Sequence, residues 1–129
     1  MIEFTLNIPP QSKQRIRAGI RGNMYTSKKT RDFQKKVQQL TQHMKPIDGF
    51  VSIDATFVFK RPKNMSKKIT GRQPRGGVPD LDNLEKALYD SLQGTVLVND
   101  SKIVESHARK VYGDIGEDAK IIVRINAYI

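Results

Sequence analysis

Residues 79–90, "PDLDNLEKALYD", contain four acids, one asparagine and one lysine. Asp82 and Lys86 are four residues apart, so they share a face if the segment is helical. Carboxylates are the hard oxygen ligands that Mg²⁺ and Mn²⁺ prefer, and such ions assist phosphodiester cleavage by activating water and stabilising charge on the phosphate. A lysine beside them could orient the water or neutralise the developing oxyanion. The residue types and spacing indicate metal-assisted phosphate chemistry.

Two further acids could join this cluster. Asp90 lies eight residues beyond Asp82, which is about two helical turns away on roughly the same side. Asp100 occurs in "VND", directly before a predicted strand, and the connection after the helix is short enough to bring it back. Asp80, Asp82, Asp90 and Asp100 are therefore candidate ligands of a divalent cation, with the Lys86 ammonium alongside.

The same residues also admit a purely structural interpretation. Asp80 could cap the helix, and Asp82 with Glu85 would favour its N-terminal dipole. Asp82 and Lys86 could form a surface ion pair that contributes about 0.3–0.5 kcal/mol. Asp90 could be a solvated surface residue.

The acids lie in a strongly basic chain. Its 129 residues include 23 Lys and Arg against 13 Asp and Glu, for a net charge of +10. This balance favours a polyanionic partner, most often nucleic acid. A membrane surface is a weaker alternative, because no basic amphipathic helix with a bulky apolar face is visible and no apolar run approaches ~20 residues. The chain contains no cysteine, which excludes disulfides and thiolate zinc sites. This fits a reducing compartment, so we expect a cytoplasmic protein.

Two basic segments are the candidate nucleic-acid-binding surfaces. Residues 60–79 contain seven basic residues and no acid, and a run of like charge is repulsive without an anionic partner. A second basic loop follows the first strand, in residues 11–29. The predicted binding residues in these segments are Lys13, Arg15, Arg17, Lys60, Arg61, Lys63, Lys67, Lys68, Arg72 and Arg75, and their contacts would be with DNA if the family resemblance described below holds.

Alternation of apolar and polar residues predicts four strands. They cover residues 2–8, 49–60, 101–113 and 119–129. The two glycines and the lack of periodicity in residues 11–29 argue against regular structure there. Ile121, Val123, Ile125, Ala127 and Ile129 are predicted to form one face of the last strand.

Helical spacing predicts two helices. The first runs over about residues 29–44, with Ser27 or Thr30 as its cap. Its buried stripe would be Phe33, Val37, Leu40 and Met44. The second begins near Asp80 and stops at Gly94. Its buried stripe would be Leu81, Leu84, Leu88 and Leu92.

These elements predict an α+β fold in a single domain over residues 1–129. The element order is β-α-β-loop-α-β-β, without repeats or linkers. We expect one mixed sheet of four to five strands with two helices packed on one face.

The motif resembles a known family. "PDLDNLEKALYDSLQG" followed by "VLVNDSKIV" is similar to the signature of the RusA family of Holliday-junction resolvases: D-x-D-N-x-x-K, then Asp and Gly at the helix end, then an acid before a strand. The loop "SKQRIRAG" resembles the basic entry loop of these proteins. Lys110, in "HARKVYG", matches a lysine often found in the strand after the last acid.

The resemblance implies a homodimeric, metal-dependent DNA endonuclease that acts in recombination and repair. It would resolve four-way junctions or related branched DNA by paired, symmetric incisions, with Mg²⁺ or Mn²⁺ as the cofactor. The implied metal ligands are Asp80, Asp82 and Asp100, and Lys86 is the implied catalytic lysine. Asn83 and Asp90 would support the ligands without binding the metal themselves.

One departure from the family pattern concerns the last acid. Many relatives have two acids where this chain has Asn99-Asp100, so the first of them is replaced by an amide. Glu105, in the next strand, could stand near the site. His43 and His107 have no partner at metal-ligand spacing and are interpreted as structural or surface residues.

Two other functions are consistent with parts of the pattern. A non-catalytic nucleic-acid-binding or architectural protein would explain the charge and the basic loops, but not three aspartates and a lysine in register with a nuclease motif. A nuclease for flaps or other branched DNA would explain both. Cleavage assays on a junction, a duplex and a flap discriminate among the three.

Overall fold

The described residues form seven strands and two helices. The computed structural model describes residues 1–12, 17–18, 24–25 and 27–128, and at 17–18 and 24–25 it describes the backbone alone. The strands, in chain order, are β1 Ile2–Leu6, β2 Arg17–Ala18, β3 Met24–Tyr25, β4 Val51–Phe59, β5 Gln73–Pro74, β6 Ile103–Tyr112 and β7 Lys120–Ala127. The helices are α1 Lys28–Thr41 and α2 Leu81–Leu92, and a 3₁₀ turn covers Asp100–Lys102.

Five strands form a mixed sheet in the order β1-β7-β4-β6-β5. β4 and β6 are parallel, whereas the other neighbouring pairs are antiparallel. Parallel neighbours need a long crossover, and the chain between β4 and β6 contains α2. The predicted α+β fold with a mixed sheet is confirmed.

Both helices contribute to one core on one face of the sheet. The core joins Phe33 and Val37 of α1 to Leu84 and Leu88 of α2. It also contains alternate residues of the central strands, including Val51, Ile53, Ala55 and Phe57 in β4 and Ile121, Val123 and Ile125 in β7. The residues between them face the other side of the sheet, as the period of two along a strand requires.

α1 begins at its predicted cap and ends earlier than predicted. The Ser27 hydroxyl accepts a hydrogen bond from the Thr30 amide at 3.2 Å, so Ser27 is the cap. The prediction that Leu40 is buried is wrong, because its side chain is 39% exposed. Thr41, one position further on, is buried instead, and its hydroxyl donates to the Val37 carbonyl at 2.8 Å.

α2 matches its predicted stripe and stop. Leu84, Leu88 and Leu92 are fully buried. Gly94 has a φ of 89°, the left-handed conformation that glycine adopts most easily after a helix.

The sequence does not predict the shortest elements of the fold, because their residues show little hydrophobic periodicity. The prediction that residues 11–29 lack regular structure is wrong at one point, because β2 pairs with β3. β5 and the 3₁₀ turn were also missed. Among the described residues, no helix is long and apolar enough to cross a membrane. Ile129, predicted to extend the face of β7, lies outside the described residues.

Candidate active site

Asp80 occupies the N-cap position of α2 without using its carboxylate as a cap. Its backbone carbonyl accepts the amides of Asn83 and Leu84, each at 3.2 Å. Its side chain makes no capping hydrogen bond and is exposed. The carboxylate is therefore available to a ligand, although the backbone of the same residue starts the helix.

Asp82 and Lys86 lie on the exposed surface of the first turns of α2. One Asp82 carboxylate oxygen accepts the Asn83 amide at 3.0 Å. Both side chains are exposed, and among the described residues no ion pair joins them. The alternative that they form an ordinary surface pair is not realised. A negative side chain in the first turn is also stabilised by the helix dipole.

Two cations hold the segment that leads into Asp80. The Lys110 ammonium donates to the carbonyls of Gly77 and Pro79, the latter at 2.7 Å. The Arg75 guanidinium donates to the Val78 carbonyl at 3.2 Å. The peptide bond between Val78 and Pro79 is cis.

An open groove of about 490 Å³ adjoins Asp80. It mixes apolar and polar side chains from the segment after β1, from the end of β4 and from the start of α2 with the segment before it. Its lining comprises Pro10, Gln11, Ser12, Phe59, Val78, Pro79, Asp80 and Asn83.

Asp100 lies at the opposite end of α2. Its amide donates to the Gln93 side-chain oxygen at 3.3 Å, and Gln93 is the residue that follows the last turn of α2. The Asn99 side chain caps the 3₁₀ turn by accepting the Ser101 amide at 2.8 Å. Asn99 is thus the N-cap of this turn.

The distance between the two ends follows from the geometry of the elements. α2 has 12 residues and is therefore about 18 Å long. β6 runs alongside it, with Ser106 bonded to Glu85 in mid-helix and Lys110 bonded to Pro79 at the helix start. Asp100 precedes β6, so it is separated from Asp80 by roughly the length of the helix.

The predicted convergence of three carboxylates is therefore not met within one chain. Among the described residues, no three His, Cys, Asp or Glu side chains lie together as metal ligands. The physical reason is the direction of β6, which runs antiparallel to α2 and starts at the end of the helix remote from Asp80. The short connection, residues 93–99, packs against the end of α2, with Val96 and Leu97 fully buried.

The remaining acids of α2 are Glu85, which is hydrogen-bonded, and Asp90, which is half-buried. Glu85 accepts hydrogen bonds from the hydroxyls of Tyr89 at 3.2 Å and Ser106 at 2.8 Å. Burial, together with the nearby Glu85 carboxylate, raises the pKa of Tyr89 well above its usual value. Asp90 is half-buried on the same helix.

Glu105 and the two histidines lie away from the start of α2. Because Ser106 contacts α2, its neighbour Glu105 points to the other face of the sheet. There it lies 3.7 Å from His107. His43 is exposed just after α1.

Three predicted DNA-binding arginines make contacts within the chain. Arg72 forms a two-pronged pair with Glu117, with the shortest distance 2.6 Å. Arg61 donates to backbone carbonyls of its own loop, including Ser66 at 3.0 Å. Arg75 bonds to the Val78 carbonyl. Their contact with DNA stays a prediction.

The lysines predicted to bind DNA make fewer side-chain contacts within the described part of the chain than these three arginines. Lys63, Lys67 and Lys68 are exposed, and Lys60 pairs with Asp118 at 3.2 Å on the open surface. Lys13 and Arg15 lie outside the described residues, and of Arg17 only the backbone is described.

Comparison with known proteins identifies the family. The family model described as Endodeoxyribonuclease RusA matches residues 7–126. The chain belongs to the RusA endodeoxyribonuclease family. RusA membership implies endodeoxyribonuclease activity, and the matched range includes both Asp80 and Asp100. The chain is also 29% identical over 126 residues to Uncharacterized protein YqaN of Bacillus subtilis (strain 168), in an alignment that covers 88% of this chain and 89% of that protein.

Proposed function

We propose that this protein is a metal-dependent endodeoxyribonuclease that resolves four-way (Holliday) DNA junctions by paired, symmetric incisions in recombination and repair. The observation that carries the proposal is the exposed pair Asp80 and Asp82 at the start of α2, with Lys86 one turn further on, in a chain of the RusA family. A structural role does not account for the Asp80 carboxylate, which makes no capping bond.

Carboxylates suit a hard divalent cation, and combining the two ends of α2 adds a third carboxylate to the donor set. Asp80 and Asp82 offer carboxylates from one end, and Asp100 offers a third from the other. We propose that a homodimer brings them together, with Asp100 of the partner subunit placed against Asp80 and Asp82. A twofold dimer makes two such sites, because any contact between different patches is repeated by symmetry. Two sites match the two strands that paired incision requires.

In this proposal Asp80, Asp82 and Asp100 would hold Mg²⁺ or Mn²⁺. When bound, the ion supplies an acidified water and stabilises negative charge on the phosphate. Lys86 contacts the scissile phosphate or the attacking water, because its ammonium is exposed on the same helix surface as Asp82. Asn83, the residue after Asp82, stiffens the helix start. Hydrolysis leaves 5′-phosphate and 3′-hydroxyl ends.

The exposed lysines of residues 60–75 would hold the DNA backbone beside this site. Phosphate contacts position DNA without reading its sequence. Lys63, Lys67 and Lys68 have exposed side chains, and within the described part of the chain they form no ion pair that would compete with phosphate.

The test is a cleavage assay on a labelled four-way junction, a matched duplex and a flap, each with Mg²⁺ or EDTA. We expect the wild type to cut the junction only with Mg²⁺, and Asp82→Asn to bind the junction without cutting it. Asp32→Asn, which removes an exposed carboxylate from α1, is the matched control and should cut normally.

Three outcomes contradict the proposal in different ways. Junction binding without any metal-dependent cutting would favour a non-catalytic nucleic-acid-binding protein. Equal cutting of duplex and junction would leave a nuclease but remove the resolvase function. Preferred cutting of the flap would assign the site to other branched DNA.

A further inference from the structure

The segment that leads into α2 presents three consecutive carbonyls to cationic side chains. The carbonyls of Gly77 and Pro79 accept from the Lys110 ammonium, and the Val78 carbonyl between them accepts from Arg75. Residues 75–80 belong to no helix or strand, so these carbonyls have no ladder partners of that kind. Side-chain donors take the place that a regular element would otherwise fill.

Lys110 is well placed to fix this segment because its own backbone is fixed. It lies within β6, opposite Phe57 of the parallel neighbour β4. Its carbonyl accepts the Arg75 amide at 3.2 Å. Both the main chain and the ammonium of Lys110 therefore tie the segment to the sheet.

Arg75 is held from the other side by aromatic rings. The guanidinium carbon lies 3.9 Å from the centre of the Phe59 ring and 5.5 Å from that of Tyr112. Such cation–π contacts attract the guanidinium to the ring faces and so favour this placement. Among the described residues, the Arg75 Nε is a buried nitrogen without a hydrogen-bond partner. An unpaired buried donor lowers stability. The hydrogen bonds that Arg75 makes therefore do not by themselves explain where its side chain lies.

The last of the three carbonyls held by Lys110 and Arg75 belongs to Pro79, the residue directly before Asp80. Asp80 has an extended backbone, with φ −67° and ψ 145°, and the helix that carries Asp82 follows at once. The direction of both carboxylates therefore depends on where residues 77–79 are held. Displacements near 1 Å in a catalytic group are large enough to reduce a rate about 100-fold.

We propose that Lys110 and Arg75 are positioning residues, which clamp the carbonyls of residues 77–79 and thereby fix the direction in which Asp80 and Asp82 face a metal ion. The clamp rests on the proposed function in one respect, which is that Asp80 and Asp82 bind a metal ion. It gives Arg75 a role inside the protein rather than on DNA.

The test compares Lys110→Met, which keeps an apolar stem of similar length, with Lys110→Arg, which keeps a cation and several donors. We expect Lys110→Met to lower junction cleavage at saturating DNA by about tenfold or more and to raise the Mg²⁺ concentration for half-maximal cleavage. Junction affinity measured in EDTA should stay within about twofold, because the ammonium donates to carbonyls of its own chain instead of to phosphate. Lys110→Arg should recover most of the rate.

Two readouts do not depend on cleavage. Direct titration of the metal-free protein with Mn²⁺ should show weaker binding in Lys110→Met. Amide hydrogen exchange in residues 75–84 should be faster, while exchange in the central strands stays unchanged. Lys120→Met is the matched control, because Lys120 is a strand lysine whose partner is Glu117, at 3.3 Å, and not the segment before Asp80.

Several results would overturn the clamp. Normal Mg²⁺ dependence and normal exchange in Lys110→Met would show that the ammonium does not position the carboxylates. A loss of junction affinity in EDTA with unchanged exchange would make Lys110 a DNA contact instead. Faster exchange throughout the chain would make it a general stability residue. If the wild type cuts no DNA, the proposed function fails, whereas Mn²⁺ titration and hydrogen exchange still decide the clamp.

Discussion

Arg61, Arg72 and Arg75 illustrate how the role of a charged residue depends on its partner. Each lies in a basic run that predicts DNA contact, yet each donates to groups of the same chain. The partner of Arg72 is Glu117, 45 residues away in the sequence. No local pattern around Arg72 indicates that pair, so the sequence predicts its charge but not its use.

The Arg72–Glu117 pair predicts a pH dependence of stability. Hydrogen bonds lower the pKa of Glu117 from 4.5 to about 2; those from Arg72 have the largest effect, and the Asp114 amide and Lys120 add to it. A lowered pKa in the folded state stabilises the protein above pH 4.5, and this contribution is lost as the pH falls from there towards 2. We expect Glu117→Gln to lower the free energy of unfolding at pH 7 by on the order of 2 kcal/mol, less than the full shift implies because Arg72 is 39% exposed to solvent.

Urea unfolding of wild type and Glu117→Gln at pH 7 and pH 3 checks this. The difference between the two proteins should shrink at pH 3. Asp118→Asn, which removes the exposed pair with Lys60, should change little at either pH. A difference that stays constant with pH would mean that the carboxylate charge is not the source of the stability.

At the scale of elements, the N-termini of the two helices do different things. Ser27 uses its side chain to cap α1, whereas Asp80 starts α2 with its backbone and leaves its carboxylate exposed. Both positions were readable from the sequence, because capping residues and helical spacing are local signals. The difference in use was not readable, since an N-cap aspartate is as typical of a structural cap as of a ligand.

This difference predicts a separation of stability from activity. Ser27→Ala should lower the free energy of unfolding by about 1 kcal/mol, because the Thr30 amide loses its acceptor, and should leave cleavage intact. Asp80→Asn should abolish cleavage with a smaller effect on stability. Urea unfolding and junction cleavage of both variants provide the comparison. A large loss of stability in Asp80→Asn would indicate that the Asp80 side chain has a structural role.

At the scale of the whole molecule, the two ends of α2 make the proposed site incomplete in one chain. Asp80 and Asp82 are at one end, and Asp100 is bonded through its amide to Gln93 at the other. A dimer with composite sites would complete each metal site from two chains. A dimer with separate sites would not, since it leaves each Asp100 remote from its own Asp80.

Mixing of two inactive variants distinguishes these assemblies. In a mixed dimer of Asp82→Asn with Asp100→Asn, composite sites include one without any substitution, whereas same-chain sites are all damaged. We expect each variant alone to be inactive and the mixture, after subunit exchange, to nick one strand of the junction. Mass spectrometry confirms that mixed dimers form. Mixed dimers without nicking would exclude composite sites.

The net charge of +10 predicts binding that weakens steeply with salt. Lys67→Ala with Lys68→Ala should reduce the slope of log affinity against log salt by about 0.9 for each phosphate that is no longer neutralised. Lys35→Ala with Lys36→Ala removes the same charge from the exposed face of α1 and should change the slope less. Equal changes would mean that total charge, rather than the loop of residues 60–75, governs binding.

The sequence by itself determined the four long strands, both helices, the position of the α1 cap to Ser27 or Thr30, the stop at Gly94 and the motif from Asp80 to Lys86. These depend on residues a few positions apart, where steric and hydrogen-bonding preferences act directly. Only the tertiary structure decided where Asp100 lies, which carbonyls Lys110 holds and which acid Arg72 binds. Each of those depends on the direction in which β6 and its neighbouring loops return across the sheet, and that direction is set by packing between distant parts of the chain rather than by local spacing.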